Sequence, residues 1–422
     1  MNRAARALAL LLLASIAAPA QEAVRPILKK GQRVAVVGDS ITEQKLYSKY
    51  IELYLLACLA DLDLKVIQLG WSGETAPGFA ARMDNDLLPW KPDVVTTCYG
   101  MNDGGYKPFD DATGRRYETA TRDIVSRAKK AGATIVVGSP GAVDRRFFRK
   151  GADDAKMYND TLGKLRDVAR KVAESEGMPF ADVFSPMIAA VEKAKPVLGE
   201  EYDVCGKDGF HPGPNGHLVM AYAFLRGLGV DGKIGAITLD VAEGKATGSE
   251  GHSVLAAEKG RVEIESSRWP FCFSGDEKSS GGTRSITPYV PFNEELNRLT
   301  LVVKGLSSER AKVTWGSSTK SFARPDLEKG INLAAQFPDN PFSDPFRKLE
   351  AVVAAKQSFE TTMIKSTINS FPRLSQAAGK PKELVASIEA FRLQLFEAQE
   401  AMHRNARAAV VPVKHTVAVA PE

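Results

Sequence analysis

The sequence predicts an α/β protein built on a doubly wound, parallel five-stranded sheet, followed by a small β-rich module and C-terminal helices. Two observations carry the first part. Apolar strand-like runs alternate with amphipathic helical stretches over about two hundred residues, and the strand-like runs lack polar alternation, as expected for strands buried on both faces. A third observation, the change to alternating, Gly-punctuated segments after Gly229-Val230-Asp231-Gly232, marks where that unit ends.

Residues 1–20 precede the fold. Arg3 and Arg6 lead into the apolar run Ala7–Ala17, and Ala18-Pro19-Ala20 forms a small-residue cleavage site. This is the pattern of a secretory signal, too short to span a membrane, and it predicts export with Gln21 at the new amino terminus. No later run reaches the length a membrane span needs. The remaining elements follow in order: Val34–Val37 as the first strand, a helix over Tyr47–Leu59, and strands at Leu64–Leu69 and Asp93–Tyr99. Helical Ile124–Ala131 then precedes a strand at Ala133–Val137. A long helix over Tyr158–Glu176, a strand over Pro179–Phe184 and a closing helix over Pro214–Leu228 complete the unit, residues 21–232.

Within residues 233–323, strand-like alternation recurs at 234–242, 261–266, 298–304 and 311–315. Residues 324–410 read as helical, with long apolar stripes over Phe346–Thr367 and Pro381–Arg407. The tail, 411–422, shows no defended periodicity and is expected to be disordered. Composition is ordinary for a globular chain, 44% hydrophobic and 25% charged. The net charge of +5, or +3 without Arg3 and Arg6, is too small and too dispersed for a nucleic-acid partner. Four scattered cysteines make no framework. Cys58 and Cys98 read as buried thiols, and Cys205 with Cys272 is left open as a pair.

Three short segments fall at predicted strand ends, and a fourth stands before the last helix. Gly38-Asp39-Ser40-Ile41-Thr42 follows the first strand, where open α/β sheets bind ligands. Ser40 there is either a candidate nucleophile or a helix cap. Gly70-Trp71-Ser72-Gly73-Glu74-Thr75 follows the second strand and Gly100-Met101-Asn102-Asp103 the third. A glycine admits close backbone approach, and an asparagine amide can donate to a developing oxyanion. Asp208-Gly209-Phe210-His211-Pro212 precedes the last helix. With five histidines in the chain, His211 is the natural base for a serine nucleophile, and Asp208, three residues earlier, can fold back to orient it. His217 falls inside the predicted helix and reads as structural. Asp103 is expected to shape its loop without touching the oxyanion.

Together these four segments resemble the signature blocks of the GDSL/SGNH hydrolase superfamily, over roughly residues 31–230. The resemblance implies a flavodoxin-like three-layer α/β/α core and a serine esterase or acylhydrolase. It implies Ser40 as nucleophile, His211 as base and Asp208 as its orienter, with an oxyanion hole made by the Ser40 and Gly73 backbone and the Asn102 side chain. No metal or organic cofactor is implied. There is no Gly-x-Ser-x-Gly elbow and no His-Glu-x-x-His zinc helix. Trp71 is not required by the pattern, and either lines the acyl pocket as a substrate-binding residue or packs a loop.

Export and the appended regions favour a small-molecule or polysaccharide ester as substrate, with acetyl esters of carbohydrates foremost. A lipid or aryl esterase of lysophospholipase type, or a non-enzymatic glycan-binding protein on the same fold, are the rivals. Acyl transfer to a sugar would use the same residues. The aromatic segments Arg268–Phe271 and Pro288–Phe292 form either a sugar-stacking surface or the core of the β-rich module. The basic run Arg145–Lys150 either meets an acidic substrate or is a solvated loop.

Overall fold

The alternate residues of one strand explain the central layer. In β1 (Arg33–Gly38), Val34 and Val36 point into one hydrophobic core while Ala35 and Val37 point into another. A strand buried on both faces has no polar alternation, which is why the run is uniformly apolar. The computed structural model describes residues 27–149 and 151–422, so the predicted signal segment lies outside the described residues.

After β1 come α1 (Ser40–Glu43) and α2 (Tyr47–Leu53), the latter continued by a wide turn over Tyr54–Cys58. The chain then forms β2 (Lys65–Gly70), α3 (Ala76–Asp86), β3 (Val94–Cys98), α4 (Asp111–Lys130), β4 (Thr134–Gly138) and α5 (Ala152–Glu176). It closes with β5 (Phe180–Ala181), α6 (Phe184–Leu198) and α7 (Pro214–Gly227). The five strands are parallel in the order β2-β1-β3-β4-β5. The order reverses between β1 and β3, which creates the crevice where such sheets bind ligands. Helices α2, α6 and α7 cover one face, and α3, α4 and most of α5 the other.

One reading, the strand over Pro179–Phe184, is corrected here and one unread helix is added. The fifth strand is only two residues long, and the chain after it is helical. Met187, Ala190, Val191 and Ala194 supply the buried stripe of α6, a spacing of three and four that the flanking prolines Pro186 and Pro196 obscured.

The β-rich part begins with β6 (Lys233–Asp240), β7 (Lys245–Gly248), β8 (His252–Glu258) and β9 (Arg261–Ser266). It continues through α8 (Phe292–Leu296), β10 (Arg298–Lys304), β11 (Arg310–Trp315), β12 (Ser318–Ala323), α9 (Arg324–Lys329), β13 (Ile331–Asn332) and α10 (Leu333–Gln336). Then follow α11 (Ser343–Thr362), α12 (Phe371–Ala377), α13 (Lys382–Ala408) and β14 (Val413–Pro421). Two sheets result, ordered β13-β10-β6-β7 and β12-β11-β14-β9-β8.

The tail expected to be disordered is therefore the middle strand of the second sheet. His415, Val417 and Val419 are buried while their neighbours are not, a period-two pattern that the half-apolar Thr416 and Ala418 between them diluted. Trp269, Phe271 and Phe292 are buried, and Phe271 and Phe292 pack on Tyr50 and Tyr54 of the first unit, so these aromatics are core and no sugar platform. All four cysteines are free thiols.

Four side chains lock the second sheet. Trp315 Nε1 donates to His415 Nδ1 (3.1 Å), which puts the His415 proton on Nε2, toward Ser266 Oγ (2.9 Å). Ser266 then donates to His252 Nδ1 (2.7 Å), and His252 Nε2 donates to the Ile234 carbonyl (3.2 Å). The chain of donors runs one way only while both imidazoles are neutral. Burial, with His252 close by, pushes His415 down from 6.5 to about 4, and burial lowers His252 too. The unfolded chain therefore binds these protons first. Their contribution to stability is complete above pH 6.5 and is lost as pH falls toward 4. Melting temperature should drop over that window, and His415→Gln, which keeps a donor and an acceptor but cannot titrate, should flatten the drop. Equal slopes for the two proteins would contradict this account.

The C-terminal helices lie along β2, the sheet's outer strand. Lys356 Nζ and Gln399 Nε2 donate to the Val66 carbonyl (2.7 and 3.1 Å), and Glu360 accepts from the Gln68 amide (3.0 Å). Side chains thus pair an edge that would otherwise be an open template. Lys356 is fully buried between Glu52 (2.8 Å) and Glu360 (2.6 Å), and burial holds the Glu360 carboxyl above its usual range.

Candidate active site

Ser40 opens α1 where β1 ends. The Asp39 carboxylate caps that helix by accepting from the Ile41 amide (2.9 Å), which fixes the turn and points the Ser40 hydroxyl away from the strand. Ser40 Oγ lies 2.8 Å from His211 Nε2, and His211 Nδ1 lies 2.7 Å from Asp208 Oδ2. The other oxygen of Asp208 accepts from the backbone amides of Phe210 (3.1 Å) and His211 (2.9 Å). One short turn therefore holds carboxylate and imidazole together, as the three-residue spacing allows.

Burial raises the Asp208 pKa, but the bonds from the His211 ring and from the two amides outweigh it and leave the carboxyl below its ordinary range. Asp208 is thus ionised at neutral pH and fixes the His211 proton on Nδ1, leaving Nε2 to accept from Ser40. The Asp208 and His211 side chains keep 48% and 30% of their exposure, so the relay opens to solvent on the His211 side.

The other two loops meet at the same edge. Trp71 to Glu74 forms a tight turn closed by the Glu74 amide on the Trp71 carbonyl (3.1 Å), with Gly73 at φ 74° in its third position. That left-handed geometry is what the turn asks of a glycine. Among the described residues, neither the Ser40 nor the Gly73 amide has a protein acceptor. Asn102 is held at both ends: Nδ2 donates to the Glu74 carbonyl (3.0 Å), and Oδ1 accepts from the Tyr106 hydroxyl (3.1 Å). Its second amide proton stays available. Asp103 joins the two loops, accepting from the Ala76 (3.0 Å) and Gly100 (2.9 Å) amides, and burial pushes its carboxyl up to about 6. These contacts agree with the loop-shaping part expected of it.

Gly70, which ends β2, is required by close approach. A methyl group there would stand 2.3 Å from the Glu43 backbone nitrogen, so only glycine lets β2 and α1 meet at this distance.

His217 is buried in α7. It accepts from the Tyr47 amide at Nδ1 (3.1 Å) and meets Gln44 Oε1 at Nε2 (3.1 Å), and burial pushes it down to about 3, so it stays neutral and structural. Trp71 is half-buried, with the Arg82 guanidinium and the Lys365 ammonium each 5.0 Å from its ring. In the basic run, Arg145 pairs with Glu200 (2.8 Å) and Arg146 with Glu201 (2.6 Å), which neutralises two of its four positive charges. Sequence reasoning missed Tyr106, Glu43 and Lys365. No local pattern marks Tyr106 as the support of Asn102, and Lys365 lies 322 residues from its partner Glu43.

The Ser40, His211 and Asp208 side chains thus stand in one hydrogen-bonded line at the carboxyl end of the first strand of a parallel sheet. Residues 36–219 match the family model described as the GDSL-like lipase/acylhydrolase family. That match covers the part of the chain that forms the parallel sheet, and it supports the GDSL/SGNH hydrolase superfamily and a carboxylic ester hydrolase.

An acetylxylan esterase of Geobacillus stearothermophilus is 25% identical over 223 residues, covering 48% of this chain and 95% of that protein. Among solved structures, a gut microbial diltiazem-metabolizing enzyme is 22% identical, with a TM-score of 0.73 over 94% of this chain and 98% of its own. The β sheets and C-terminal helices therefore recur with the hydrolase unit as one fold. A solved acetylxylan esterase of Geobacillus stearothermophilus is 22% identical over 48% of this chain and 96% of its own, with a TM-score of 0.40.

Proposed function

We propose that the protein is an exported serine ester hydrolase that works through an acyl-enzyme and removes short acyl groups, acetyl foremost, from carbohydrates. The observation that carries the mechanism is the unbroken chain Ser40 Oγ–His211 Nε2, His211 Nδ1–Asp208 Oδ2 at 2.8 and 2.7 Å. Ser40 Oγ attacks the ester carbonyl carbon as its proton passes to His211 Nε2, and Asp208 stabilises the imidazolium. The oxyanion is met by the Ser40 and Gly73 amides and the second Nδ2 proton of Asn102. As the tetrahedral adduct collapses, His211 gives its proton to the departing alkoxide and the acyl group stays on Ser40. Water then attacks the acyl-enzyme with His211 as base, releasing the carboxylic acid and restoring Ser40.

Two further observations support the substrate and the location. The acetylxylan esterase relative points to acetyl esters of a polysaccharide, and the half-exposed Asp208 and His211 leave room for a bulky alcohol on the leaving-group side. The signal-like segment 1–20 supports export.

A panel of p-nitrophenyl esters of increasing chain length, run beside acetylated xylo-oligosaccharides, tests the reading. The expected result is the highest kcat/KM for the acetyl ester, with acetate released from the oligosaccharide. A preference for long acyl chains would make the protein a lipid esterase. Hydrolysis of none by well-folded protein would return it to the glycan-binding alternative.

A further inference from the structure

The Trp71–Glu74 turn does not hold itself in place. Its Ser72 amide and hydroxyl both donate to Glu43 Oε2 (2.5 and 2.6 Å). Glu43 is the last residue of α1, three residues after Ser40, so one carboxylate joins the helix that carries Ser40 to the turn that carries Gly73. The other oxygen of Glu43 accepts from Lys365 Nζ at 2.7 Å, and the same ammonium stands over the Trp71 ring. Lys365 comes from the far end of the chain. It sits in a wide helical turn, Met363–Thr367, that continues α11, a type of irregularity often found where a helix serves a site. Met363 and Ile364 anchor that turn in the core shared with Phe79 and Met83 of α3.

These contacts have a directional consequence. In a tight turn with glycine third, the peptide between the second and third residues decides where the third residue's N–H points. Here that peptide is Ser72–Gly73. Glu43 holds Ser72 by two hydrogen bonds, and the Lys365 ammonium keeps Glu43 charged: burial raises its pKa, but the bonds from Lys365 and Ser72 leave it below its ordinary range. Both side chains are mostly buried, so the pair is shielded from solvent screening more than a surface pair is.

We propose that Lys365 is a positioning residue for the reaction, acting through Glu43 to aim the Gly73 amide at the oxyanion. The inference rests on Ser40 as nucleophile and Gly73 as donor. It gives the C-terminal helices a task beyond covering the β2 edge: they complete the active site.

Lys365→Met in the full-length protein, assayed on p-nitrophenyl acetate, tests it. Because a donor displaced by less than 1 Å loses much of its value in the transition state, kcat should fall about tenfold or more with KM within about twofold. Lys365→Arg, which keeps the charge, should recover most of the loss. The double variant Glu43→Gln/Lys365→Met should lose no more than the worse single variant, since the two act as one unit. Should Lys365→Met fail to fold, Glu43→Gln and Lys365→Arg decide: wild-type kcat in Glu43→Gln overturns the proposal. A folded Lys365→Met with a lower melting temperature and wild-type kcat also overturns it, reducing the contact to structure. Ser40→Ala separates the two levels. If it is inactive while Lys365→Met is normal, only the positioning role fails; if it stays active, the reading of the site itself fails.

Discussion

Replacing Ser40 by alanine should lower kcat by several orders of magnitude with little change in melting temperature. The fold gives two reasons for the small structural effect. Helix α1 is capped by Asp39, and among the described residues the Ser40 side chain bonds His211 alone. His211→Ala should cost a similar factor. The Ser40→Ala/His211→Ala double variant should fall little further than either single one, because groups that act as a unit are not additive. Residual activity above the water reaction is expected, since the oxyanion donors and substrate binding remain. Retention of more than about a tenth of wild-type turnover by Ser40→Ala, a cost below about 1.4 kcal/mol, would remove Ser40 from the mechanism.

A second large effect is expected at Asn102, and its neighbour makes the result readable. If the free Nδ2 proton meets the oxyanion, Asn102→Ala removes a bond that matters most in the transition state, at roughly 2.7–4 kcal/mol. Turnover should then fall about a hundredfold or more while KM barely moves. Asp103→Ala should show the opposite balance. It leaves the buried Ala76 and Gly100 amides without an acceptor, at roughly 1–3 kcal/mol each, so stability falls more than rate. Measuring kcat, KM and melting temperature for both variants gives a crossed pattern. Normal turnover in Asn102→Ala would take Asn102 out of the site.

The parts of this molecule that were legible in the sequence are those whose reasons are local. Val34–Val37 is apolar throughout because both its faces are buried, and Gly70 and Gly73 stand where a close approach and a left-handed turn demand them. The Asp208–His211 spacing suits a turn that closes on itself. Where the reason lay elsewhere in the chain, the sequence was silent. Val413–Pro421 is a strand because β9 and β11 flank it on both sides, and its own small residues gave too weak an alternation. Helix α6 was hidden by prolines that its ends tolerate. Lys365 looks like any charge on an amphipathic helix until the fold sets it beside Glu43 and Trp71. The half of the chain beyond the signature blocks thus reads as an appendage in sequence, while in structure its Lys365 reaches Glu43 and Trp71.

The central claim is that Ser40 becomes acylated during turnover. Intact-protein mass spectrometry after treatment with a fluorophosphonate, which traps activated serine nucleophiles, tests it most directly. The account predicts a single adduct that maps to the peptide carrying Ser40, absent from Ser40→Ala and strongly slowed in His211→Ala. Loss of ester hydrolysis should track its formation one to one. An adduct on another residue, or a fully active enzyme that takes up no label, would contradict it.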